Sequence, residues 1–174
     1  MLNNQPQLHL SLRNVTLADT QALCAIRNTP NVLQYLDAQQ LRTPHDEHRY
    51  ISHLMDATQC YTCIIVYNNE VVGACYLNNF NPTHRFAFIT FYLAQTHWGK
   101  GIMKRALQQF VQQAFANLPQ LHRIEAQVHE HNTGSCAVLA TIGFVKEGEA
   151  RNNFFVNEQP FNSHVYAVLR TDIN

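Results

Sequence analysis

Apolar positions along this chain recur at two different periods, and the switches between them outline its elements. Leu8, Leu10 and Leu12 stand at every second place, as in a half-buried strand. Thr16 then reads as an N-cap, with Asp19 three residues on as an imperfect capping box before Ala22, Leu23 and Ile26. Thr43-Pro44 reads as a second helix start, with proline in the first turn, Asp46 and Glu47 behind it, and Tyr50, Ile51, Leu54 and Met55 at helical spacing. A meander follows: Tyr61 to Tyr67, a tight turn at Asn68-Asn69, Val71 to Leu77, a loop from Asn78 to His84, then Phe86 to Leu93, rich in aromatic and β-branched residues. From Gly101 to Ala116 the period becomes helical, with Ile102, Ala106, Leu107, Phe110, Val111, Ala114 and Phe115 on one broad stripe. Ile124 to Val128 is the next strand and Thr133 to Ile142 a short helix stopped at Gly143. Phe144 to Gly148 and Ser163 to Leu169 close as strands around a hairpin-like Asn157-Glu-Gln-Pro160. A strand–helix–strand crossover in the second half predicts an α/β (α+β) fold, a mixed sheet with helices on both faces.

Composition narrows the function classes. The 174 residues suffice for one well-buried domain, expected to span 1–174, and are short for two. Lys plus Arg equals Asp plus Glu at 12 each, so no overall field would gather nucleic acid or an anionic membrane. No apolar run approaches the ~20 residues of a membrane span, and no secretory signal is expected. Cys60 and Cys63 form a lone CxxC with no second pair to complete a zinc site, and on a strand they would face opposite ways. Reduced, structural cysteines and a cytoplasmic protein are the expectation. His45 and His48, with Asp46 and Glu47, read as the solvated first turn of a helix rather than a metal site.

The chemically informative stretch runs from Phe91 to Leu107, where a strand ends at Leu93 and Trp98-Gly99-Lys100-Gly101 leads straight into a helix. Glycines let the backbone approach a ligand closely, and the free N–H groups of a helix start point at an anion. Lys100 and Lys104 add local positive charge. The stretch has neither the Gly-x-Gly-x-x-Gly of dinucleotide folds nor the Gly-Lys-Ser/Thr of P-loops.

Trp98-Gly-Lys-Gly-Ile-Met103 resembles the pyrophosphate-binding motif of GNAT acetyltransferases. His122-Arg-Ile-Glu125, Asn132-Thr-Gly-Ser135 and Ile142-Gly-Phe144-Val-Lys-Glu-Gly148 follow in an order similar to the RimJ/RimL-type subgroup acting on ribosomal-protein N-termini. The resemblance covers roughly residues 72–169. It implies the GNAT fold, a mostly antiparallel mixed sheet, and acetyl-coenzyme A as co-substrate without a metal. It also implies direct attack of a primary amine on the thioester. Carried over, it places pantetheine on the main chain of Tyr92 and Leu93. Pyrophosphate would lie among Trp98, Gly99, Lys100, Gly101, Ile102, Met103 and Lys104, with Asn132 on pantetheine and Ser135 near the departing thiol. Ser135 is then the candidate general acid, its alternative being to cap or start the short helix. Trp98 is read mainly as packing.

Four positions depart from the family pattern, the first being Trp98, which stands where Arg or Gln is usual, as often in this subgroup. Met103 stands where Gly or Ala is usual and is expected to crowd the turn nearest the phosphates. Phe88 replaces a glutamate that often serves as candidate base, and Leu139 a frequent tyrosine. His129, Glu130 and His131 are the nearest titratable cluster, weak base candidates against a solvated strand end. The leading acceptor is a protein N-terminal α-amine, such as that of a ribosomal protein. Alternatives are a small amine (polyamine, aminoglycoside or amino sugar) or a catalytically weak acyl-coenzyme A sensor. A polyamine would favour an acidic pocket, and the first half of the chain offers only scattered Asp37, Asp46, Glu47, Asp56 and Glu70. A monomer or homodimer is expected.

Overall fold

The computed structural model describes residues 9–36, 40–56, 61–156 and 158–173. Leu8, Asp37, Cys60 and Asn157, all invoked above, lie outside the described residues. Strands β1 (Leu10–Asn14), β2 (Thr62–Tyr67), β3 (Glu70–Asn81), β4 (Phe86–Leu93), β5 (Arg123–His129), β6 (Val145–Val156) and β7 (Gln159–Leu169) form one seven-stranded sheet in the order β1-β2-β3-β4-β5-β7-β6. Among the described residues only β4 and β5 pair in parallel; the other neighbours are antiparallel. That is the mixed, mostly antiparallel sheet expected.

Strand alternation divides the sheet into two apolar faces. Cys63, Ile65, Cys75 and Leu77 face α4 (Ile102–Asn117), whose predicted stripe is buried throughout, while α5 (Thr133–Thr141) contributes Leu139 to the same cluster. Ile64, Ala74, Tyr76 and Tyr92 face the other way, under α1 (Thr20–Arg27), α2 (Pro30–Leu33) and α3 (Pro44–Asp56). The helix starts are local devices. Thr16 N–H donates to Asp19 Oδ2 at 2.8 Å ahead of a single 3-10 turn, and Thr43 and Asp46 exchange equivalent bonds at the head of α3. The Asn68-Asn69 turn has φ of 50° and 67°, the left-handed pair of a tight hairpin.

Several boundaries differ from the sequence reading. β3 continues through Asn78 to Asn81, where a loop was expected, with Asn79 at φ 52° interrupting its register. β6 and β7 extend far past their apolar stretches, because β6 is an edge strand exposed along most of its length and so carries no alternation to read. Met55 is exposed on α3. Glu47, expected in a solvated turn, is fully buried between Arg27 (3.6 Å) and Arg42 (3.1 Å). α2 was not anticipated.

Candidate active site

The site follows from one defect in the sheet. β4 pairs with β5 only at Phe86, Ala87 and Phe88, opposite Arg123, Ile124 and Glu125. β4 nevertheless runs on to Leu93 against β3, while β5 runs on to His129 against β7. The two strands part beyond Phe88 and leave a wedge in the middle of the sheet. One side of the wedge opens into a cleft of about 570 Å³ that reaches Trp98, Gly99 and Gly101 to Lys104. The other is a cleft of about 240 Å³ lined by Phe88 to Phe91, Ala126 to His129 and Asn78. Tyr35, Leu36, Phe91, Asn132 and Ser135 border both, so the two clefts meet at the N-terminus of α5.

Gly73 holds the end of β4 in place. A Cβ added there would lie 2.2 Å from the Tyr92 carbonyl oxygen, a distance no side chain tolerates. Ala94 N–H donates to the Val72 carbonyl at 2.7 Å, and Tyr92 is opposite Ala74. Main-chain groups alternate sides along a strand, so those of Tyr92 turn toward β3 and those of Phe91 and Leu93 toward the wedge. This corrects the expectation for Tyr92: its main chain belongs to the sheet. Its ring is buried on the far face, 5.2 Å from the Arg27 guanidinium. Leu93 does face the wedge, where its carbonyl accepts the Trp98 indole N–H at 2.8 Å. Trp98 is 43% exposed, so tethering this carbonyl, rather than burial, is its visible work.

The loop after Trp98 is built as an anion cradle. Gly99 and Gly101 have φ of 73° and 69°, which side chains with a Cβ rarely adopt, and nothing lies within 4 Å of a Cβ placed on either. Gly101 caps α4 without a side-chain hydrogen bond. The first i→i−4 bond of α4 is from Arg105 N–H, so the N–H groups of Ile102, Met103 and Lys104 precede the helical ladder and face outward. The helix dipole adds roughly 0.3–1 kcal/mol in favour of an anion there. Lys100 and Lys104 are exposed beside it. Met103 is 8% exposed and belongs to the core under α4, so its expected crowding of the phosphate turn is absorbed by packing against the sheet.

At the other wall, Asn132 caps α5, its Oδ1 accepting Ser135 N–H at 3.2 Å. Ser135 is therefore the third residue of the helix and not its cap, and it borders both clefts. Leu139 is buried in the core. Phe88 borders the smaller cleft, and Glu125 opposite it is tied to Arg123 Nε at 2.8 Å.

The titratable cluster differs from a solvated strand end. His129 is 6% exposed, packed against Phe154 and Phe161 with ring centroids 5.0 and 4.8 Å away. Burial first, and His131 second, push its imidazolium below the usual 6.5. Its Nδ1 accepts the His131 main-chain N–H at 3.1 Å, which places the proton of the neutral ring on Nε2. With Nδ1 occupied and Nε2 protonated, the ring is poorly suited to take a proton. Glu130 is turned to the backbone, its Oε1 accepting Asn162 N–H at 2.8 Å. His131 is exposed at the rim of the larger cleft. Among the described residues no group of three or more His, Cys, Asp or Glu is placed to hold a metal ion.

Asn31, Val32, Tyr35 and Leu36, from α2 and the turn after it, complete the larger cleft and were missed by the sequence reading. Thr29-Pro30 repeats the signature of Thr43-Pro44, with proline in the first turn, and could have located α2.

Residues 9–145 match the model of the acetyltransferase (GNAT) domain. The uncharacterized N-acetyltransferase p20 of Bacillus licheniformis is 27% identical over 168 residues, covering 94% of each chain. The ribosomal-protein-serine acetyltransferase of Escherichia coli (strain K12) is 28% identical over 104 residues, 60% of this chain and 58% of its own. Among solved structures, the spermidine N-acetyltransferase of Vibrio cholerae, in complex with CoA and spermine, superposes with a TM-score of 0.86. It is 20% identical, and the match covers 94% of this chain and 97% of the other.

Proposed function

The chain belongs to the GNAT acetyltransferase family, and from that premise we propose that it transfers acetyl from acetyl-coenzyme A to an N-terminal α-amine of a protein, in the manner of RimJ/RimL-type enzymes. The observation that carries the choice of acceptor is the chemistry of the clefts: among the described residues lining them, none is Asp or Glu. A polyamine carries several charges and gains little from such walls. Of the carboxylates that could have served it, Glu47 is enclosed by Arg27 and Arg42, Asp46 is spent on Thr43, and Asp56 and Glu70 are exposed elsewhere. An α-amine needs one neutral nitrogen at the wedge, and its reference pKa of ~7.7–8.0 leaves much of it unprotonated at neutral pH.

In this reading pyrophosphate rests on Gly99 to Lys104, and the extended pantetheine arm follows Phe91 and Leu93 into the wedge. The thioester then lies near Ser135. The amine, entering past Tyr35 and Asn78, attacks the thioester carbonyl; main-chain N–H groups at the parted strand end steady the oxyanion. The C–S bond breaks, and the thiolate is protonated through the Ser135 hydroxyl, whose proton is replaced by the one that the attacking nitrogen loses as the amide forms. Asn132 orients that turn by capping α5. The whole chain acts as one catalytic domain in the cytoplasm, as a monomer or homodimer. The fold of the Vibrio cholerae enzyme is compatible with a small amine, so the test is a panel. Free thiol release is measured with N-terminal peptides beginning in Ser or Ala, with spermidine and with an aminoglycoside. Peptide turnover exceeding the others is expected. Efficient spermidine turnover with none on peptides overturns the acceptor, and cofactor binding without thiol release overturns the enzyme.

A further inference from the structure

On the far side of α5 from the clefts, three side chains from three elements line up. Cys136 Sγ lies 3.7 Å from His164 Nδ1, and His164 Nε2 lies 3.5 Å from Glu149 Oε2. Glu149 and His164 are cross-strand partners on β6 and β7, and Glu149 is steadied by Asn162 Nδ2, which donates to its other oxygen at 2.8 Å. The acetyl-transfer route uses none of these groups.

The arrangement is suited to a proton relay. A carboxylate can only accept, so Glu149 draws the imidazole proton to Nε2 and leaves the Nδ1 lone pair facing the thiol. That tautomer can take the Cys136 proton, and Glu149 then faces the imidazolium it creates. Tyr166 is the other titratable group beside Cys136, its ring 6.5 Å from that of His164. Cys24, Cys63 and Cys75 are buried with no such partner set, whereas Cys136 is only half-buried.

We propose that Cys136, activated by His164 and Glu149, is a modification site for low-molecular-weight disulfides, and that the adduct slows acetyl transfer. In the step, the Cys136 proton passes to His164 Nδ1 and the thiolate attacks one sulfur of the disulfide. A Cys136–S–S–R bond forms, the original S–S bond breaks, and the second half leaves as a thiolate. Cys136 is oxidised and the departing sulfur reduced. The consequence for turnover rests on the function proposed above. Cys136 N–H donates to the Asn132 carbonyl at 3.1 Å, one residue beyond the Asn132–Ser135 bond, so a bulky adduct strains the turn that borders both clefts.

The test incubates the full chain with oxidised glutathione and follows each cysteine by peptide mass spectrometry. Cys136 should form the mixed disulfide before Cys24, Cys63 and Cys75, and dithiothreitol should reverse it. His164→Gln should slow labelling by about tenfold or more and Glu149→Gln by less, with folding checked by circular dichroism. Equal rates in the folded variants, or an adduct confined to Cys60, overturn the site. Should His164→Gln not fold, the native protein decides through its labelling rate at neutral pH. Cys136 labelled at least about tenfold faster than a free cysteine peptide supports the relay, and a rate no faster than the peptide's overturns it. Turnover should drop several-fold on modification and be insensitive in Cys136→Ser. Labelled enzyme with unchanged turnover overturns the regulatory role while leaving the site.

Discussion

The two walls of the wedge are built in opposite ways. The cradle at the head of α4 is made by consecutive residues, Trp98 to Lys104, whose backbone angles and free N–H groups do the work. The opposite wall is assembled from α2, β4, β5 and the cap of α5, which meet only when the sheet forms. In the proposed reaction the local chemistry would hold pyrophosphate, and the assembled wall would decide which amine is accepted. A substitution in the cradle should therefore abolish binding, whereas one in the assembled wall should shift rate, stability or pH response.

The sharpest division is expected at Gly101→Val. A β-branched residue at φ 69° is strained by roughly 1–2 kcal/mol, and its side chain fills the open space of the cradle. Acetyl-coenzyme A affinity should fall by at least roughly 10²-fold, two tenfold steps at 1.4 kcal/mol each. Calorimetry on folded variant protein checks this; normal binding would erase the cradle assignment. Ser135→Ala should lower kcat by roughly 10²-fold with cofactor binding nearly unchanged, in line with loss of a positioned acid. Equal kcat in stopped-flow thiol release would remove Ser135 from the chemistry.

Gly73→Ala tests the join between the walls. Its Cβ meets the Tyr92 carbonyl at 2.2 Å, so the end of β4 must move. Denaturant unfolding should show a loss of about 1–3 kcal/mol, and KM for acetyl-coenzyme A should rise as Leu93 and Trp98 shift. A variant as stable as the parent would mean that β4 yields freely.

The smallest effect concerns His129. Its folded-state value is depressed, so the unfolded chain binds the extra proton first. The contribution to stability is complete above about 6.5 and is lost as pH falls through the lower folded value. Thermal midpoints should decline below pH 6.5, and less so in His129→Asn. Because Nδ1 is occupied, kcat/KM should show no break near 6.5 and should rise toward the acceptor's own pKa. A break there that vanishes in His129→Asn would restore the histidine as base.

Much of this was legible in the residues alone. The periods of α3 and α4, the Asn68-Asn69 turn, the meander from β2 to β4 and the glycine cradle are set by local rules, whereas Ser135 was singled out only by the family resemblance. β6 was cut short because an exposed edge strand carries no alternation, and α2 was missed because a four-residue helix has too few positions for a period.

What the sequence determined by itself is the cradle: two glycines flanking Lys100, a helix start and a second lysine, whose geometry is fixed by short-range sterics. Only the tertiary structure decided the rest. Burial turned His129 from a solvated base candidate into a neutral donor. Register turned Tyr92's main chain away from the wedge, and the packing of α1 and α3 enclosed Glu47 between two arginines. Charge state and side-chain direction depend on neighbours far apart in the chain, and those neighbours exist only once it has folded.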